Sequence, residues 1–201
     1  MAFFDNLFGS GKTFSTRMRY VNDFKIEEYQ DARGKTRTRA VYTGPWTVLE
    51  DTGGKTLAKL IGAAALAAAG TILLFVTLLS SHLMADKLLV MIPLYVALFP
   101  TFYLLMGAFS LPYRLKPMRR DQYMHGIMRM QRSSVAIIVF ITVGVIASFI
   151  YRISTQEWWF QKKDILFLVG CVVSALLCAG VLFLLGSLDT RERPNETYPN
   201  P

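Results

Sequence analysis

Charge is missing from most of this 201-residue chain. Four stretches, Leu60–Ala85, Leu88–Tyr113, Ser133–Tyr151 and Ile165–Leu188, contain no Asp, Glu, Lys or Arg, and all 14 acids and 22 bases lie outside them. A helix crosses the hydrocarbon core with about 20 apolar residues, and each stretch is near or above that length. A water-soluble fold would have to hide four helices that are apolar on every side, and a chain of this size has too little interior to do so. The stretches therefore read as membrane spans.

Other scarcities exclude chemistry. Ion-coupled transporters commonly keep an ionisable group inside the bilayer, and the four stretches hold no Asp, Glu, Lys or Arg, with His82 only near the outer end of the first. There are two cysteines, Cys171 and Cys178. Seven helical residues separate them by about 10 Å, too far for a disulfide. No CxxC or Cys/His spacing points to a metal. The two histidines, His82 and His125, are expected on opposite sides of the membrane, so they cannot share a site. No Ser/His/Asp arrangement can be built, and no cofactor is expected. The "GSGKT" at 9–13 lacks the first glycine of a phosphate-binding loop, because Asn6 stands in its place.

What is present orients the spans. Basic residues are retained on the cytoplasmic side of short loops. Residues 1–59 carry ten bases, the link after span 2 carries six and the C-terminal segment two; the other two links carry one and three. This predicts both termini inside, with 18 bases facing the cytoplasm and four facing out. The start, "MAFFDNLFGSGKTFSTRMRY", does not read as a secretory signal, so span 1 is expected to serve as an uncleaved insertion signal. The net charge of +8 points to an anionic inner leaflet as partner rather than to nucleic acid.

The expected fold is an all-α integral membrane protein, a four-transmembrane-helix up-down-up-down bundle with a small N-terminal cytoplasmic β-hairpin. Residues 1–57 form the cytoplasmic front, residues 58–188 the membrane domain with spans near 60–81, 88–111, 133–151 and 165–187, and residues 189–201 a cytoplasmic tail. The hairpin is read over about 22–43, because β-favouring residues flank the turn formers Asp31–Gly34. Trp46–Leu49 is expected to add a short third strand to it. Arg37, Arg39 and Trp46 are its candidate partner contacts. The first eight residues fit a short helix on the inner leaflet, or a frayed terminus.

Within the spans, small residues mark close packing. Gly62 and Gly70 serve span 1, while Gly170, Ser174 and Cys178 repeat every four residues in span 4. Pro93 and Pro100 are expected to kink span 2. Span 3 is expected to begin early, as a basic amphipathic helix from about 118, with Arg119, Arg120, Arg129 and Arg132 at the headgroups. Trp158 and Trp159 in the outer link suit the opposite interface.

The arrangement resembles small bacterial membrane proteins in general, placing the expected location in a bacterial plasma membrane. The leading functional reading is a non-enzymatic accessory or scaffold protein that works by self-association or within a membrane protein complex. A small-molecule or lipid transporter, or a subunit of one, would use Tyr95, Thr101, Tyr103 and Ser174 around a polar cavity. An interfacial enzyme would need Asp121 and His125 to act together.

Overall fold

A computed structural model describes residues 23–30, 35–50, 54–80, 87–113, 117–155 and 162–193. The proposed N-terminal interfacial helix, together with Trp158 and Trp159, lies outside the described residues.

The chain opens with strands β1 (Phe24–Gln30) and β2 (Thr36–Tyr42), paired antiparallel from Phe24↔Tyr42 to Gln30↔Thr36. This is the hairpin that the alternation of Thr, Arg and Val implied. Its register sets Arg39 opposite Glu27 and Arg37 opposite Tyr29.

Strand β3 (Trp46–Leu49) does not extend that hairpin, contrary to the sequence expectation. It becomes the centre of a second sheet, flanked by β4 (Met118–Arg119) and β5 (Thr190–Arg193), both antiparallel to it. The reason is the turn at Thr43–Pro45. The Asp23 carbonyl accepts from Thr43 N–H at 2.7 Å and Gly44 N–H at 3.3 Å, which closes the hairpin before β3 begins. Gly44 is needed there, since a Cβ would sit 2.7 Å from the Tyr42 hydroxyl and 2.9 Å from Asp23 Cγ.

Four long apolar helices follow. The first is α1 (Lys55–Leu79). The second is the pair α2 (Leu88–Val96) and α3 (Leu98–Phe109), interrupted at Ala97. Pro100 cannot donate to the carbonyl four residues before it and crowds that carbonyl, so the interruption falls just ahead of it. Ala97 N–H still reaches the Pro93 carbonyl at 3.0 Å. The third helix runs through α4 (Arg120–Tyr123), a π-helical turn (Met124–Met128) and α5 (Arg129–Thr155). The fourth is α6 (Lys162–Gly186).

These helices have mean hydropathies of 2.1 to 2.8 over their most apolar windows, and only 28% to 39% of each window is buried. Large side chains such as Leu79, Phe99, Phe109 and Phe183 face outward all round the bundle. This is a multi-span helical membrane protein shape: in water such an apolar surface would far exceed that of ordinary monomers.

The interior is close-packed. α6 lies against α1 and α5, and α5 also packs on α2 and α3. One continuous apolar cluster runs from Leu60, Ala63 and Leu74 through Leu94 and Ile137 to Phe167 and Val181. Glycines let the backbones approach. A Cβ on Gly170 would collide with Thr77 Oγ1, one on Gly144 would lie 2.7 Å from Leu94 Cγ, and one on Gly126 would lie 2.9 Å from the Ser110 carbonyl oxygen.

Candidate functional site

Strands β3, β4 and β5 come from three distant parts of the chain. Each adjoins a long helix, so the start of α1, the start of the α4–π–α5 helix and the end of α6 meet at one end of the bundle. The join is tied at several points. Glu50 N–H donates to the Asp189 carbonyl at 3.1 Å, and Thr56 Oγ1 donates to the Glu50 carbonyl at 2.9 Å. Lys59 Nζ donates to the Ser187 carbonyl at 2.6 Å, putting a cation at the negative end of α6.

A cavity of about 360 Å³ lies between this sheet and the helices. Thr47 of β3 and Thr190 and Glu192 of β5 form one wall. The helices line it with Arg120, Tyr123, Met124, Met128 and Gln131, and the end of α6 adds Leu185, Gly186 and Leu188. Tyr123, Thr190 and the Glu192 carboxylate all line it. Gln131 is buried although it belongs to the basic segment that sequence reasoning assigned to headgroups. The cavity is lined by hydroxyl, amide, guanidinium and carboxylate groups over an apolar base, which equips it to hold a small polar or amphipathic group.

Beside the cavity, Tyr42 anchors the hairpin. Its hydroxyl donates to the Pro45 carbonyl at 2.8 Å and accepts from Arg120 N–H at 3.2 Å. Its ring meets Phe24 and Trp46 edge-on, both at 5.3 Å, with the Arg119 guanidinium 5.6 Å away. Burial, and secondarily the nearby Asp23 and Asp121, pushes the Tyr42 hydroxyl pKa above its ordinary 10.0, while the Arg120 bond acts the other way. Beyond this root, residues 25–30 and 35–40 are exposed on both faces of the hairpin.

A second polar feature lies among the apolar helices. Arg152 Nη2 donates to Asp164 Oδ2 at 2.6 Å, and the two side chains are 5% and 1% exposed. The charge-free runs end at Tyr151 and begin again at Ile165, so the sequence placed both residues outside the spans. The helices reach further, to Thr155 and back to Lys162, and carry the pair into the interior. Lys87 lies 5.2 Å from the ring of Tyr151 in the same region. A basic residue and an acid flanking one outer link were the available signal.

The sequence-derived positions fall as follows. Gly62 faces Leu184, and Gly70 faces Leu177, Ser174 and Cys178, so these span 1 and span 4 positions come together between α1 and α6. Gly170 meets Thr77 in the same seam. Ser174 and Cys178 are buried. Arg119 is at the hairpin root, Arg120 on the cavity, and Arg129 contacts His125 at 2.9 Å and the Tyr103 ring at 5.8 Å. Arg132 is exposed. Trp46 is buried at the sheet, where its ring meets Tyr42; Arg37 and Arg39 are exposed on β2. His125 pairs with Arg129 and makes no bond to Asp121 among the described residues. Tyr95 and Tyr103 face outward while Thr101 and Ser174 are buried, so these four do not line one cavity. Among the described residues no three His, Cys, Asp or Glu side chains gather as a metal site. No protein-family model, curated protein or solved structure matches the chain.

Proposed function

We propose that the chain is a four-span up-down-up-down protein of a bacterial plasma membrane. Its sheet end faces the cytoplasm, and it acts as a non-enzymatic accessory or scaffold protein. The observation that carries this reading is the three-stranded sheet built from residues 46–49, 118–119 and 190–193. If each long helix crosses once, all three strands fall on one side. It is the side to which the distribution of bases independently assigns the cytoplasm.

The working surface on that side is the hairpin. A two-stranded hairpin is marginal in water by itself. Among the described residues its contacts with the bundle lie at its root, and the outer positions, with Arg37 and Arg39 among them, are exposed. Strand edges of this kind accept a partner strand. The close-packed centre supports association over transport, since the polar residues of span 2 do not converge.

The test is the mass of the full chain in mild detergent, combined with cross-linking from cysteines introduced at Arg37 and Arg39. A defined oligomer or stoichiometric complex, cross-linked through the hairpin, is expected. A monodisperse monomer with no hairpin cross-link, in detergent and in native membranes alike, would overturn the proposal.

A further inference from the structure

We infer that the cavity under the three-stranded sheet is a headgroup site for a phospholipid carrying both a primary ammonium and a phosphate. The inference rests on the membrane placement proposed above and goes beyond the scaffold reading. Four observations lead to it.

The first is charge. Arg120, on the helix side, and Glu192, on the sheet side, line the same cavity; both are exposed, and they form no ion pair with each other. An anion alone would meet Glu192 unfavourably, and a cation alone would meet Arg120. A zwitterion satisfies both. Guanidinium groups suit phosphate oxygens because their planar fork donates two bonds at once. A carboxylate suits an ammonium with N–H donors. The end of α6, where Gly186 lines the cavity, adds the partial negative charge of a helix C-terminus, moderated by Lys59 on the Ser187 carbonyl.

The second is the gradient of polarity. Leu185 closes the apolar helix α6, while Glu192 lies on the strand that follows it. Met124, Met128 and Leu188 give an apolar surface beside hydroxyl and amide groups. Apolar side chains of the helices set beside charged groups at the sheet end suit the boundary between acyl chain and headgroup. Methionine is adaptable enough to accept the irregular glycerol region.

The third is the π-helical turn. Met124–Met128 widens the helix where it lines the cavity. Such turns are uncommon and gather at functional sites. The fourth is size: about 360 Å³ falls within the usual range of small-ligand sites. A choline headgroup fits the same charges but offers Glu192 no N–H, so a primary amine is favoured.

The experiment is native mass spectrometry of the full chain in detergent, titrated with phosphatidylethanolamine, phosphatidylcholine and phosphatidylglycerol, and with free phosphoethanolamine as a competitor. One retained ethanolamine lipid, bound more tightly than the other two lipids, is expected. R120Q and E192Q should each weaken it about tenfold, the loss of one charge-assisted contact. The exchanged variant R120E/E192R should recover binding, and K163Q at the far end should leave it unchanged. Equal retention of phosphatidylglycerol, or unchanged binding in both single variants, would overturn the site. Competition by free phosphoethanolamine at the lipid's own affinity would overturn the lipid as ligand in favour of a soluble zwitterion. Resistance of the chain to alkaline extraction from membranes is scored separately. An extractable chain would overturn the membrane placement, whereas an integral chain that binds no ethanolamine lipid would overturn only this inference.

Discussion

Tyr42 and Gly44 hold the hairpin to the bundle, and both act through close approach. Adding a methyl at Gly44 places an atom 2.7 Å from the Tyr42 hydroxyl, so G44A should shift the ring and lower stability by about 1–3 kcal/mol, the usual range for overpacking. A thermal melt in detergent checks this. Tyr42 also predicts a pH dependence. Its folded pKa is raised above 10.0, so the stability owed to the neutral hydroxyl is fully present below that value. It declines as pH rises through the folded pKa. Alkaline titration should therefore loosen the hairpin in the native chain, and Y42F should remove that step. The pair Arg152–Asp164 makes a different prediction. Replacing Arg152 alone by Met takes its cation away from the buried Asp164 carboxylate, and should cost about 3–5 kcal/mol. The double variant R152M/D164L should recover most of that, because the carboxylate is removed together with its cation. If the double variant melts no higher than R152M, the pair contributes more than charge compensation.

Among the elements, local signals were readable and long-range pairings were not. The hairpin was legible because Thr, Val and Tyr alternate on either side of a turn cluster, and its observed strands fall within one or two residues of the expected ones. The four long helices were legible because charge stops abruptly at their flanks. The second sheet was not. β4 has two residues and β5 reads "TRER", and strands so short carry almost no periodic signal. Their pairing depends on helix ends being brought together, which no local pattern records. The cavity was hidden for the same reason, since Thr47, Tyr123 and Glu192 meet only once that sheet exists. The buried ion pair was missed because a charge was taken to end a span, whereas the helices run on. An element-level test addresses the contact between α3 and the π-helical turn. A Cβ on Gly126 would lie 2.9 Å from the Ser110 carbonyl oxygen, and one on Gly107 would lie 2.6 Å from Met130 Cγ. The first neighbour is backbone and cannot rotate away, and Gly107 likewise faces backbone, the Gly126 carbonyl oxygen and Met130 N, both at 3.2 Å. G126A and G107A should therefore each destabilise by about 1–3 kcal/mol, and melts of the two variants would check it.

For the molecule as a whole, the account depends on where its two ends lie. Three strands, a hairpin and most of the described bases occupy one end, and the end of α5 and the start of α6, with Arg152 and Asp164, lie at the other. The bundle between them exposes apolar side chains all round, a surface that suits surrounding lipid. The scaffold reading and the headgroup site both need the sheet end on the cytoplasmic side. The most direct test is labelling of single cysteines with a membrane-impermeant maleimide, in a C171A/C178A background, at Thr38, His125 and Glu192 and at Thr155 and Lys162. In intact cells the account predicts labelling at Thr155 and Lys162 only, with the other three reacting after the membrane is opened. Labelling of Glu192 and Thr155 from the same side would contradict it.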